Sequence, residues 1–380
     1  MVFDFLQPIS ASVEEFIATL SNRTLGKKVV FHTQTDFPVI ENVSLALITV
    51  NENRGAKKQN KAEAFDDFRK QFYALFPGNW QISIADLGTI EAGETIEDTY
   101  FVVKKLVEEL LKKKIIPIII GGSQDLTYSM YRAYDNLDQM VNLVSVDNQF
   151  DFDKENALIS NSFLTKIIVE EPNNLFNYAN LGYQTYYNSQ EEIDLIEKLY
   201  FEAYRLGTVS NNIIVAEPVF RDADLVSIDI NSVQSAASGN FNFFQPNGFN
   251  GKEICTLARY AGISDKVSSF GVFNGSELQN SLVAQMIWYF IEGFSFRSNE
   301  YPFGSKENYI KYIVPIDAEE LVFYKSNKTA RWWIEIPFLI NVNNKLKRNT
   351  LLPCTNEDYL AACEQEIPER WWKAQRRNSF

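Results

Sequence analysis

Short runs rich in valine and isoleucine alternate along this chain with segments of helical periodicity, and that alternation restricts the fold more than any other feature. Runs at 43–50, 81–87, 115–120, 141–146, 179–182, 225–230 and 267–272 are bounded by Gly, Asn or Asp and predict strands. Helical patterns fall between them. Ser12-V-E-Glu15 and Ser189-Q-E-Glu192 have the spacing of capping boxes. The helix predicted over 95–114 closes on Lys112, Lys113 and Lys114, which complement the negative end of its dipole. Strand–helix alternation implies an α/β fold, a mostly parallel sheet covered by helices on both faces. Ligands of such sheets sit outside the carboxyl ends of the strands.

A chain of 380 residues, 46% hydrophobic and 22% charged, has the composition of a soluble domain with a sizeable core. The expected division is a main unit over 1–297 and an extension over 298–380. That extension holds Trp332, Trp333, Trp371 and Trp372, four of the six tryptophans. Strands are predicted at 309–314 and 332–338, with a short basic helix at the end. Adjacent tryptophans in one strand face opposite ways, so Trp332 and Trp333 should serve two different layers. A net charge of −13 argues against nucleic acid and anionic membrane as partners. The apolar stretch 282–296, interrupted by Gln285 and Glu292, reads as a buried helix, so no membrane insertion is expected. The N-terminus lacks the basic region of a signal peptide, and three cysteines without zinc spacing suit a reducing, cytoplasmic setting.

Three strand ends carry acids or amides. The first is I-I-P-I-I-I-G-G-S-Q-D, with Gln124; the second is V-S-V-D-N-Q-F-D-F, with Asp147, Gln149 and Asp151; the third is L-V-S-I-D-I-N-S, with Asp229 and Asn231. Period-two spacing puts the members of each set on one side of a strand end. The only histidine, His32, lies outside all three and reads as an edge-strand or surface residue. Cys255 sits at helical spacing with Leu257 and Ala258 and reads as a buried thiol.

The three motifs, in this order, resemble those of the arginase/ureohydrolase family: G-G-D-H-S, then D-A-H-x-D, then S-x-D-x-D. The resemblance covers roughly residues 43–293. Asn51-E-N-R-Gly55 resembles the family's loop after its first strand. Glu217-P-V-F-R-D-A-Asp224 leads into the third motif as in the formimidoylglutamase branch. This likeness implies a three-layer α/β/α sandwich with a parallel sheet of about eight strands. It also implies two manganese ions that activate a water to hydrolyse a guanidino or formimino carbon.

The departures fall on that chemistry. Gln124 and Gln149 stand where the family places histidine ligands, and Asn231 stands in place of an aspartate. Asp153 occupies a position used to hold substrate, and the family's catalytic glutamate would fall at about Val272. An amide is a poor ligand for manganese or zinc, so two imidazoles and one charge are lost. Asp147, Asp151 and Asp229 suffice for at most one hard, oxygen-seeking ion such as magnesium or calcium. The expectation is a ureohydrolase fold without its binuclear centre and without a cofactor, acting in binding or scaffolding with a protein partner or a second copy. The alternatives are an amidine hydrolase using an altered manganese or magnesium site, and a metal-free binder of a small cationic ligand. The acids are expected to share a proton or to accept hydrogen bonds from Gln149 or Asn231. The basic residues Arg370, Lys373, Arg376 and Arg377 are expected to form a patch facing another subunit.

Overall fold

The computed structural model describes residues 2–56, 65–137, 139–152, 159–241, 244–300, 307–316, 319–336 and 351–378. Among them, ten strands form one sheet: β1 (Leu6–Gln7), β2 (Val30–Phe31), β3 (Leu45–Asn51), β4 (Ile84–Glu91), β5 (Ile116–Ile120), β6 (Val141–Val146), β7 (Leu175–Tyr183), β8 (Glu202–Arg205), β9 (Leu225–Asp229) and β10 (Ser269–Phe273). Their order is β1-β4-β3-β5-β10-β9-β6-β7-β8, with β2 also paired to β4. From β4 to β8 all eight strands run parallel; β1 alone is antiparallel.

Period-two geometry explains why the interior strands are largely apolar. Ile116, Ile118 and Ile120 of β5 join one core cluster, while Ile119 joins the other. Leu45 and Leu47 of β3 face the first, Ala46 and Ile48 the second. Both faces of the sheet are therefore buried under helices, as a parallel sheet requires. Helices Asp66–Ala74, Gly251–Ile263 and Asn280–Ser295 pack on one face; Ile96–Lys112, Leu126–Arg132 and Phe163–Val169 pack on the other.

Ser189 and Glu192 form the predicted capping box. Ser12 does not cap its helix. That helix begins at Ala11, and Ser10 takes the Val13 N–H, which leaves Ser12 in the first turn, where its hydroxyl accepts from Lys70 Nζ at 2.8 Å. Among the described residues no helix is long and apolar enough to cross a membrane.

The C-terminal region forms a second, antiparallel sheet of β11 (Tyr309–Ile316), β12 (Glu319–Ser326), β13 (Trp332–Glu335) and β14 (Leu351–Cys354). Its tryptophans divide between the two faces. Trp332 stacks on Tyr359 at 4.8 Å, whereas Trp333 packs with Tyr324 and Leu351, under the Arg221 guanidinium. Arg221 fastens this sheet to helix Ala216–Asp222 by donating to the Trp332 and Cys354 carbonyls, each at 3.0 Å. The C-terminal basic patch is mostly spent within the chain. Arg370 and Arg377, on helix Glu369–Arg377, turn inward to Glu202, and Lys373 pairs with Glu369.

Candidate functional site

Strands β9 and β10 lie between β5 and β6, where the strand order reverses. The loops after these four strands meet at the carboxyl edge. β5 runs into Gly121 and Gly122, at φ +88° and +77°. A side chain at Gly122 would also collide with the Glu52 carbonyl, 2.8 Å from an added Cβ, so both conformation and space demand glycine there. The Ser123 N–H donates to that same carbonyl at 2.8 Å, which pins the loop of Glu52 and Arg54 against the turn. Glu52 is itself buried and paired with Arg54.

Asp147 follows β6. Its Oδ1 accepts the Gln149 N–H at 3.0 Å. Asp151, two residues further, adopts a left-handed φ of 58°. Asp229 ends β9, and its Oδ1 accepts the Asn231 N–H at 2.7 Å. Its Oδ2 accepts two side-chain amides, Asn231 at 3.3 Å and Asn274 at 3.0 Å. Asn274, directly after β10, has φ 57° and accepts the Gln124 N–H at 3.3 Å. Gln124, Asp147, Asp151, Asp229 and Asn231 therefore converge, all but Asn231 buried.

Burial raises the Asp147 carboxyl well above the usual carboxylate range, and the neighbouring Asp229 charge adds to this. Asp151 is raised by burial, by the charges of Asp147 and Asp229, and by a hydrogen bond to Asp147. The two carboxyls lie close enough to influence each other, and both are held well above the usual carboxylate range. Burial pushes Asp229 up to about 6, against the amide donors that hold it down. The Gln124 amide lies near enough to lower Asp147, yet neither Gln124 Nε2 nor Asp147 Oδ2 makes a hydrogen bond of good geometry.

Two expectations need correction. The Gln149 side chain does not reach a carboxylate; it is half-buried at the outer rim, 3.5 Å from the Tyr187 carbonyl, and only its backbone serves Asp147. Val272 is a core residue of β10, paired with Ile120 and packed in the apolar cluster, so it holds no polar site position. The polar residue of that strand end is Asn274, and N-G after an apolar run was the available signal. Asp153 lies outside the described residues. His32 sits at the far edge, where its Nδ1 meets the Leu87 carbonyl at 3.0 Å. Cys255 is buried, and burial pushes its thiol up to about 11. Among the described residues no group of three or more His, Cys, Asp or Glu side chains is placed to hold a metal ion.

The pairings predict unequal costs for two amide deletions. Asn274→Leu strands an acceptor of Asp229 and the Gln124 N–H, and should cost about 1–3 kcal/mol. Gln149→Leu should cost less than about 0.5 kcal/mol. Urea denaturation of both variants checks this, and equal costs would return Gln149 to the buried network.

An eight-stranded parallel sheet with polar loops gathered at its carboxyl edge is the ureohydrolase architecture. The sequence profile described as the arginase family matches residues 55–273, and this chain belongs to that family. The manganese-bound formiminoglutamase of Trypanosoma cruzi superposes with a TM-score of 0.60 at 17% identity, covering 68% of this chain and 96% of the other. The formimidoylglutamase of Bacillus subtilis gives 0.61 at 14%, covering 69% and 91%. The agmatine ureohydrolase of Thermoplasma volcanium gives 0.56 at 18%, covering 74% and 97%. Identities this low carry the fold alone. A search of curated proteins finds no match to the sequence.

Proposed function

We propose that this chain is an arginase-fold protein whose sheet-edge pocket has exchanged a binuclear manganese centre for a carboxylate–amide cluster, and that it works by binding or scaffolding. The observation that carries this reading is the environment of Asp229. Its Oδ2, which a metal ligand would turn toward an ion, accepts N–H groups from both Asn231 and Asn274. The Asp147 and Asp151 carboxyls lie beside each other, and burial holds both well above the usual carboxylate range. No imidazole reaches the pocket among the described residues, because the only histidine is on the far edge. Borderline transition metals favour imidazole and thiolate, and water activation by two metals needs a pair of ions about 3.5–4 Å apart. This donor set does not fit such a pair, and no hydrolytic step is assigned to it.

The remaining features agree with a binding role in the cytoplasm. Cys255, Cys354 and Cys363 are unpaired, as suits a reducing compartment. The region over 298–380 is read as an extension fastened to the 1–297 unit through Arg221 and Arg370.

The test is metal content together with turnover. Protein produced in manganese-supplemented medium should contain no stoichiometric manganese by elemental analysis. It should hydrolyse neither formiminoglutamate, arginine nor agmatine. Stoichiometric manganese, with turnover lost in the Asp147→Ala/Asp151→Ala/Asp229→Ala variant, would overturn the reading in favour of an amidine hydrolase.

A further inference from the structure

Above the carboxylates lies a rim of apolar side chains that the core does not use. Tyr186, Phe241, Phe244 and Leu278 are each more than half exposed, and Tyr187 is also exposed. They come from three loops that follow β7, β9 and β10. Phe241 and Phe244 stack at 6.5 Å, and Tyr186 meets Tyr187 edge-on at 4.7 Å. Hydrogen bonds hold the loops after β7 and β9 together: Tyr187 Oη donates to Gln245 Oε1 at 3.0 Å, and Asn247 Nδ2 donates to Gln184 Oε1 at 3.3 Å. The same loops are tied to the acidic floor. Gln149 Nε2 contacts the Tyr187 carbonyl, and Asn148 Nδ2 donates to the Asn231 carbonyl at 3.0 Å. Large apolar side chains gathered on a fixed, exposed ring mark a contact surface.

The floor beneath is incomplete. Asp147 Oδ2 and Gln124 Nε2 are buried without a hydrogen-bonding partner, although both residues are 1% exposed. The leading groups acting on Asp147 and Asp229 are carboxyls and amides, and among the described residues no lysine or arginine is a leading influence on any of the three acids. A cluster of buried carboxyls with an unpartnered oxygen complements a cation supplied from outside. Aromatic faces around the entrance favour the same sign of charge. The net charge of −13 extends that preference to the approach.

We infer that rim and floor together are a docking site for a segment of a partner protein that presents one lysine or arginine among apolar side chains. The basic group enters toward the Asp147, Asp151 and Asp229 carboxyls, of which Asp147 Oδ2 lacks a partner, and the apolar neighbours cover Tyr186, Phe241, Phe244 and Leu278. This inference rests on the reading of the pocket as free of metal. A free small cation would use the floor without the rim. A second copy of this chain would use the rim and appear as a dimer.

The experiment is selection of a random phage-displayed peptide library on the full-length protein, followed by binding measurements with the selected peptides made synthetically. Selected peptides should share a lysine or arginine flanked by apolar residues. Replacing that residue with norleucine should weaken binding about tenfold or more, and so should Phe241→Ser/Phe244→Ser and Asp229→Asn in the protein. The phenylalanines are exposed, so the melting temperature of their variant should match the parent. The norleucine peptide tests the floor even where Asp229→Asn does not fold. Failure to select basic peptides, indifference to norleucine, or equal binding by the phenylalanine variant each overturns the docking site. Spermidine binding that ignores the rim variant, or a dimer dispersed by it, also overturns it, in favour of a small ligand or a second copy. Manganese uptake with turnover would instead remove the reading beneath it, and is measured separately.

Discussion

Arg370→Ala should lower the unfolding free energy by about 3–5 kcal/mol, the cost of taking the nearest cation away from a buried carboxylate. Glu202 is 2% exposed at the last strand of the sheet. Its carboxylate accepts Arg370 Nε at 2.6 Å, Tyr204 Oη at 2.8 Å and Asn177 Nδ2 at 2.8 Å. Burial alone would push this carboxyl up, but Arg370 and Arg377 hold it at about 2. Arg370 also donates to the Pro353 carbonyl at 2.6 Å, so one side chain joins the C-terminal helix, the second sheet and β8. Glu202→Leu/Arg370→Leu should cost less than Arg370→Ala, because it removes both charges. Chemical denaturation of the three variants checks this, and an Arg370→Ala cost below about 1 kcal/mol would reduce the cluster to a surface pair. The folded carboxyl titrates below its unfolded value, so this stability is present above about pH 4.3 and is lost as the pH falls toward 2.

The same cluster shows where sequence reading stops. The interior strands were legible because a strand buried on both faces is an uninterrupted apolar run; β6 falls on its predicted residues, 141–146. β8 was not legible. Its sequence, E-A-Y-R, is polar because it is an edge strand whose acid is neutralised by arginines some 170 positions later, and no local pattern encodes that pairing. For the same reason Arg370 and Arg377 read as a surface patch. Local rules identified a basic helix correctly but could not say which of its faces is buried.

At the site, order and spacing located the right strand ends but not every side chain. Asp147 and Asp229 fall where period two puts them, each with an Asx turn to the residue two places on. That turn is also why Gln149 was misplaced. Once the chain turns at Asp147 it is no longer extended, so period two stops applying and the Gln149 side chain goes out to the rim. Asn274 was missed because its value depends on Asp229 and Gln124, 45 and 150 positions away.

If the pocket is a cluster of buried carboxyls without an ion, the protein should become more stable on acidification from pH 7.5 to 5. Burial pushes Asp229 and Asp224 each up to about 6, whereas both titrate near 3.8 in the unfolded chain. The folded state then binds more protons than the unfolded one between about pH 4 and 6, so its stability rises as the pH falls through that window. A two-unit difference makes the relief on the order of 3 kcal/mol per carboxyl. Below about pH 4 the Glu202 pair reverses the trend, which puts the optimum between about 4 and 5. Asp229→Asn should remove its own share of the rise and leave the part due to Asp224, which faces Lys266 in a different place. The change in slope is the informative quantity, because the new amide also confronts the donors of Asn231 and Asn274 and so carries a fixed cost. Guanidinium unfolding at a series of pH values, with and without chelator, gives both slopes. A parent protein that loses stability steadily from pH 7.5 to 5, and does so only without chelator, would show that its acids are ionised around a bound cation. The amide donors would then have to turn away, and the metal-free reading would fail with them.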